Sequence, residues 1–183
     1  MFFMKKWKIL DRSIVFETKW FKVLRKRTEN ACNLVDDYYT IDRSSFVLML
    51  PISNNDIFLV KQFRPGTERF YIALPAGFIR QGESIEAAAT RELKEETNCV
   101  VEKWTQIGEL HPLPGYINSI GYVLLGKVKM VISQEYDKDE ISEIIKIPFD
   151  EAIKMVNKGE INEMQAVASI LMAKEFINNK NSG

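Results

Sequence analysis

Apolar residues recur along this chain with two different spacings, and the spacing predicts where strands and helices lie. Apolar residues three and four positions apart predict helices at residues 149–158 and 165–177. Strong helix formers after Ser84, together with Glu83 and Ser84, which suit the N-terminal end of a helix, predict a further helix in the middle of the chain. Short apolar and β-branched runs bounded by turn residues predict strands at residues 13–17, 20–27, 34–41, 46–50, 57–60, 71–74, 104–110, 122–131 and 144–147.

The order of these elements predicts an α/β fold. Strands stand on both sides of the central helix and two helices follow, so we expect a mixed sheet covered by helices on both faces, an α/β/α sandwich. The turn residues at 53–56 predict that the strands on either side form a buried hairpin. The first strands, up to residue 43, predict an antiparallel β appendage, and residues 44–183 predict the main domain.

Composition limits the kinds of partner. The chain has 183 residues, 46% of them hydrophobic, which is enough for one full core. Lysine and arginine number 25, as do aspartate and glutamate, so the formal net charge is zero. That balance gives no electrostatic basis for general nucleic-acid or membrane binding and favours a small-molecule ligand.

The cysteines and the start of the chain bear on its location. Cys32 and Cys99 provide neither a disulfide framework nor metal-ligand spacing. The apolar residues at 1–4 precede the lysines, which reverses the order of a signal peptide, and no apolar run approaches the length of a membrane span. We therefore expect a cytoplasmic protein.

Three glutamates recur at helical spacing in the central helix. Glu92, Glu95 and Glu96 stand at positions i, i+3 and i+4 and share one helix face. A solvated surface helix would show the same face. If the cluster is buried, its repulsion requires cations, either Arg91 and lysines or a divalent metal. Oxygen ligands without His or Cys favour Mg²⁺ or Mn²⁺ over Zn²⁺.

A longer pattern surrounds these glutamates. Residues 77–99 read GFIRQGESIEAAATRELKEETNC. This segment resembles the Nudix box, G-x5-E-x7-R-E-U-x-E-E-x-G-U, where U is a bulky apolar residue. Asn98 replaces the second glycine and Cys99 the last apolar residue. Asn tolerates the left-handed conformation after a helix and a buried Cys acts as a small hydrophobe, so we expect the fold and metal binding to be kept.

Other segments resemble the ADP-ribose and nucleotide-sugar pyrophosphatase branch of the Nudix family. They are KQFRP at 61–65, LPAG at 74–77, LPG at 113–115, and DE at 139–140 shortly before IPFDEA at 147–152. The resemblance implies magnesium-dependent hydrolysis of ADP-ribose to AMP and ribose 5-phosphate. Two alternatives remain open: a pyrophosphatase for another nucleoside diphosphate sugar, such as a GDP- or UDP-hexose, and a Nudix-like sensor that binds a nucleotide without cleaving it.

The resemblance also implies a metal site. The backbone carbonyl of Ala76 and the carboxylates of Glu92 and Glu96 match its metal ligands, with Glu95 as a further or alternating ligand. We also expect Arg91 to pair with an acidic neighbour, Glu83 or Glu95, and so to order the catalytic box.

A loop carboxylate is implied as the general base. Glu140 resembles the glutamate that positions or deprotonates the attacking water, a role suited to a mobile side chain beside acidified water. Asp139 and Glu143 are alternatives for the same role.

Substrate contacts are implied on both parts of the chain. Arg64 matches the arginine that binds the substrate phosphates, and Arg43 is a second candidate for them. The family exchanges its N-terminal strands between the subunits of a homodimer, and an aromatic residue there stacks on adenine. Trp20 matches that aromatic residue, with Tyr38 or Tyr39 on the second side of the base.

Two positions depart from the branch pattern. Ala73 stands where a glutamate usually precedes LPAG, and the segment around Asn118 lacks the acidic residue often found soon after Pro-Gly. We expect these changes to affect recognition of the ribose or sugar and to leave the metal site intact.

Overall fold

The computed structural model describes residues 7–130 and 141–181. Its helices are α1 (Ile85–Thr97), α2 (Phe149–Lys158) and α3 (Met164–Asn181). Its strands are β1 (Lys8–Glu17), β2 (Lys22–Glu29), β3 (Val35–Asp42), β4 (Phe46–Ser53), β5 (Asp56–Arg64), β6 (Arg69–Ala73), β7 (Ala76–Phe78), β8 (Cys99–Leu110), β9 (Ile117–Asn118), β10 (Gly121–Met130) and β11 (Ile141–Pro148).

The chain divides into two compact units. The first contains the described residues up to Ser44 together with His111–Ile120, and the second contains Ser45–Leu110 and the described residues from Gly121 onward. The sequence-based boundary at residue 43 did not include the returning segment. That segment belongs to the first unit because β9 pairs in parallel with the end of β3.

The first unit is built on a sheet with the strand order β1-β2-β3-β9. Strands β1 to β3 are antiparallel, as the sequence predicted for the appendage. Strand β1 lies at the edge of the sheet, and nearly all of it is exposed. Its exposed apolar residues include Ile14, Val15 and Phe16.

The second unit contains a mixed sheet with the order β11-β5-β4-β10-β8, on which β6 pairs with β5 and β7 with β4. Strands β4 and β10 are parallel and the other pairs are antiparallel. The predicted hairpin is formed only beside its turn, where Ile52 pairs with Ile57 and Ser53 with Asp56. Beyond the turn the two strands separate, because β4 pairs with β10 and β7 while β5 pairs with β11 and β6.

The core of the second unit lies on both faces of this sheet. Val47 and Met49 of β4 pack with Leu93 of α1 in one buried cluster. Leu48 and Leu50, which point to the opposite face, belong to a cluster with residues of α2 and α3. The predicted α/β/α sandwich is therefore confirmed.

The ends of α1 follow the predicted chemistry. Ser84 caps the helix by accepting a hydrogen bond from the Ala87 N–H at 3.2 Å. Asn98 ends it in the left-handed conformation with φ 55°, and Cys99 is buried directly after it. Within residues 7–130 and 141–181, no helix has the length and apolar character needed to cross a membrane.

Candidate active site

Strand β7 and helix α1 bring the box residues together. Strand β7 pairs with β4, so that Ala76 lies opposite Leu48. The backbone N–H of Ala76 donates to Oε2 of Glu96 at 3.0 Å. One helical turn earlier, Glu92 packs against Gly77 so closely that a Cβ on Gly77 would lie 1.9 Å from its carboxyl carbon. Two carboxylates of α1 therefore rest on the backbone of β7.

Arg91 joins most of the other box residues. Its Nε and Nη2 donate to the two carboxylate oxygens of Glu83, each at 2.9 Å. Its Nη1 donates to Glu92 at 2.6 Å and to Glu95 at 3.4 Å. Its Nη2 also donates to the Phe78 carbonyl at 3.1 Å, which fastens the helix to the end of β7. The sequence left Glu83 and Glu95 open as partners of Arg91, and the structure shows contacts with both.

Charge and burial act differently on the two glutamates that bind Arg91. Hydrogen bonds from Arg91 and then from the Arg80 backbone N–H lower the pKa of Glu83 to about 2. The pKa of Glu92 is raised instead, because burial outweighs the hydrogen bond from Arg91. The same carboxylates raise the pKa of Arg91, chiefly through Glu83. A cation beside Glu92 would therefore favour the ionised form that burial opposes.

The donor set fits a hard divalent cation. Glu92, Glu95, Glu96 and the Ala76 carbonyl offer only oxygen atoms, which suit Mg²⁺ and Mn²⁺. Gly77 leaves room for the Glu92 carboxylate at the backbone. Among the described side chains, no three His, Cys, Asp or Glu groups already surround one point, so backbone oxygen or a shift of the half-exposed Glu95 would complete the set.

The candidates for the general base lie on and before β11. Asp139 and Glu140 fall outside the described residues. Glu143 lies on β11 opposite Lys61 of β5, whose Nζ is 3.8 Å from its Oε2.

The first unit holds four of the predicted substrate residues. Trp20 lies between β1 and β2, is 62% exposed, and has Nζ of Lys19 4.6 Å from its ring centroid. Tyr39 on β3 is also exposed, and Arg43, just beyond β3, is half-buried. Tyr38, which precedes Tyr39 on β3, has aromatic neighbours of its own.

Tyr38 has ring contacts that the sequence did not predict. Its ring stacks on that of Tyr116, with centroids 6.3 Å apart and planes 10° apart. The Trp7 and Tyr38 rings form a T-shaped contact with centroids 6.4 Å apart. The Tyr38 hydroxyl donates to the Gly115 carbonyl. Tyr116 is 62% exposed, so this loop presents an aromatic face to solvent.

A second pair missed by sequence reasoning fixes α1 on the sheet. The indole N–H of Trp104 on β8 donates to Oγ1 of Thr90 at 3.0 Å, and that hydroxyl donates to the Glu86 carbonyl at 2.8 Å. The Trp104 ring lies over Gly126, where a Cβ would be 2.4 Å away. A glycine inside a predicted strand was the one available signal, since it marks a close approach of a neighbour.

Comparisons with known proteins agree with this geometry. The NUDIX domain family matches residues 43–167. The ADP-ribose pyrophosphatase of Bacillus subtilis (strain 168) is 34% identical over 125 residues, 66% of this chain and 68% of that protein. ADP compounds hydrolase NudE of Escherichia coli (strain K12) is 26% identical over 131 residues, 72% and 70% of the two chains. A crystal structure of ADP compounds hydrolase shares the fold, with a TM-score of 0.86 and 23% identity over 98% of both chains. The chain is therefore a member of the NUDIX family.

Proposed function

We propose that this protein hydrolyses the diphosphate bond of ADP-ribose and releases AMP and ribose 5-phosphate. Its family membership and its similarity to proteins named ADP-ribose pyrophosphatase support this activity. The observation that carries the proposal is the seating of Glu92 and Glu96 on the backbone of Ala76 and Gly77. This arrangement places two carboxylates of α1 against the backbone of β7.

Magnesium, or manganese, would be held by the Ala76 carbonyl, Glu92 and Glu96, with Glu95 as a further ligand. When bound, the ion would stabilise the negative charge that develops on the phosphate and make a coordinated water more acidic. Arg91 orients Glu92 through a hydrogen bond. Two further hydrogen bonds to Glu83 hold the Arg91 guanidinium group in that position. The protein thereby fixes the position of a ligand whose pKa is raised by burial.

The reaction transfers one phosphorus from a phosphate leaving group to water. The water oxygen forms a bond to that phosphorus, the bridging P–O bond breaks, and the other phosphate leaves with the electron pair. We assign the proton from the water to Glu140, on the basis of the family resemblance alone. The variants Asp139→Asn, Glu140→Gln and Glu143→Gln identify the base, since only its loss should abolish the acidic limb of the pH–rate profile.

The substrate contacts are carried over from the family resemblance. We propose that Trp20, with Tyr38 or Tyr39, stacks on the base, and that Arg43 and Arg64 bind the phosphates. Tyr39 suits the stacking role because it is 51% exposed, whereas the Tyr38 ring already stacks on Tyr116. Stacking needs a free aromatic face, which favours the exposed ring.

We also propose that residues 1–43 form a subdomain for dimerisation and substrate contact, and that a homodimer exchanges its N-terminal strands. The exposed apolar side chains of the edge strand β1 support this assignment. The two cysteines are free, one exposed and one buried, which supports residence in the reducing cytoplasm.

Two observations favour a different sugar as the second candidate. Ala73 is only 2% exposed and packs with Val60 and Ile144, so position 73 offers apolar surface where the branch has a carboxylate. Asn118 donates to Oδ1 of Asp42 at 2.7 Å and is thereby engaged within the first unit. A GDP- or UDP-hexose is therefore the alternative substrate.

The test is a magnesium-dependent hydrolysis screen with products identified by mass. ADP-ribose, ADP-glucose, GDP-mannose, UDP-glucose and NADH are compared at equal concentration. The proposal expects AMP and ribose 5-phosphate from ADP-ribose at the highest kcat/KM. Preference for a GDP- or UDP-hexose would replace the substrate and keep the chemistry, whereas tight nucleotide binding without any cleavage would indicate a sensor.

A further inference from the structure

Two arginines face each other at the end of the β5–β6 hairpin. Arg64 is the last residue of β5 and Arg69 the first of β6, and they are register partners. Side chains of antiparallel register partners project from the same face of the sheet with Cβ atoms about 5 Å apart. Two arginine side chains therefore project side by side from an exposed end of the second unit.

The turn holds this pair in place. The Arg64 carbonyl accepts backbone hydrogen bonds from Thr67 at 3.1 Å and Glu68 at 2.9 Å, which close the turn. The preceding register pair, Phe63 and Phe70, makes an edge contact with ring centroids 5.3 Å apart. Both features fix the backbone that carries the two guanidinium groups.

Among the described residues, no carboxylate is paired with either arginine. Within the described part of the chain, neither Arg64 nor Arg69 has an ion pair or a side-chain hydrogen bond. Like charges directly opposite on a sheet are destabilising. An anion between the two groups would remove that cost.

Other opposed cations in the structure differ from this pair. Lys103 and Lys127 are register partners, but Nζ of Lys127 lies 3.0 Å from Oε2 of Glu102. Arg12 and Lys26 also face each other, but only one of these two side chains carries a planar guanidinium fork. Among the described register partners, only Arg64 and Arg69 place two planar guanidinium forks together.

We propose that Arg69 is a substrate-binding residue that acts with Arg64 as a two-armed clamp for the diphosphate. This inference rests on the proposed function, to which it adds a residue. Guanidinium forks match phosphate oxygens bidentately, and two of them suit a group with two adjacent phosphates. The repulsion in the free protein is then the signature of a site prepared for an anion.

The experiment compares Arg69→Gln and Arg69→Lys with the wild type and with Lys103→Gln, which removes one charge from the other opposed pair. The first readout is binding of inorganic pyrophosphate by isothermal titration calorimetry without metal. Loss of one charge-assisted contact should weaken pyrophosphate binding about 10-fold in Arg69→Gln. Arg69→Lys should restore part of that affinity. Lys103→Gln should bind pyrophosphate with nearly the wild-type affinity.

The second readout is the melting temperature of the ligand-free protein. Because the charge pair is repulsive, Arg69→Gln should melt at or above the wild-type temperature while binding the anion more weakly. A residue with a merely structural role would show the opposite change in melting temperature. Arg69→Gln should also raise KM for ADP-ribose more than it lowers kcat.

The outcomes separate this inference from the proposed function. Unchanged pyrophosphate binding in Arg69→Gln, or equal weakening in Lys103→Gln, would overturn the clamp, while the proposal of ADP-ribose hydrolysis would stand. If the wild-type protein cleaves no ADP-ribose but Arg69→Gln binds pyrophosphate more weakly than the wild type, the proposed function would be overturned and the anion site supported.

Discussion

Gly77 provides the space that the carboxylate of Glu92 occupies. A Cβ at position 77 would lie 1.9 Å from Cδ of Glu92 and 2.3 Å from its Oε1. The atoms that would clash belong to the end of a flexible side chain, so Glu92 rather than the backbone would move. The first glycine of the box is therefore required by the position of a carboxylate, without any special backbone dihedral angle.

Gly77→Ala should displace Glu92 and weaken metal binding. We expect the affinity for Mn²⁺, measured by electron paramagnetic resonance, to fall about 10- to 100-fold, with turnover falling in parallel. The melting temperature should change little, because the side chain can swing away. Gly66→Ala is the matched control, since a Cβ there meets nothing within 4 Å. Wild-type metal affinity in Gly77→Ala would show that Glu92 is not a ligand.

Glu96→Gln should separate folding from metal binding. The glutamine carbonyl can still accept the hydrogen bond from the Ala76 N–H, so the melting temperature should stay within a few degrees of the wild type. Loss of the charged donor should reduce magnesium-dependent turnover about 100-fold or more. Glu86→Gln, on the exposed first turn of the same helix, should retain normal turnover. If Glu96→Gln also retains normal turnover, the metal assignment is wrong.

Glu83 should make stability depend on pH through its pair with Arg91. Its pKa is lowered from an ordinary 4.5 to about 2, so the unfolded chain binds the proton more readily between these values. The stabilisation is present above pH 4.5 and is lost as the pH falls through about 2. The melting temperature of the wild type should therefore exceed that of Glu83→Gln most above pH 4.5, and the difference should shrink toward pH 2. A difference independent of pH would contradict this account.

Trp104 and Thr90 should be energetically coupled. Trp104→Phe keeps most of the ring and removes the N–H donor, whereas Thr90→Val removes the acceptor with little change in volume. We expect a coupling free energy of about 1 kcal/mol in a double-mutant cycle of chemical denaturation. Thr90→Ser should behave like the wild type because it keeps the hydroxyl. Additive losses in the double mutant would mean that the hydrogen bond does not contribute.

Local patterns determined much of the fold in advance. The range predicted for α2 is the observed one, and the cap chemistry of Ser84 and Asn98 was read correctly, since these features depend on neighbouring residues. The hairpin of β4 and β5 was predicted, but its separation beyond the turn was not. Whether two apolar strands stay paired depends on competing partners from distant sequence, here β10 and β11.

The identity and spacing of the box carboxylates, and hence the family, can be read along the chain, because helical periodicity alone puts Glu92 and Glu96 on one face. The groups that those carboxylates contact follow only from the folded structure. The fold placed the carboxylates on the backbone of β7, gave Arg91 both Glu83 and Glu95, and set Arg69 against Arg64. Each of these contacts depends on how strands and helices pack. Residue spacing predicts which side chains share a face within one helix or strand, but it does not predict which elements pack together.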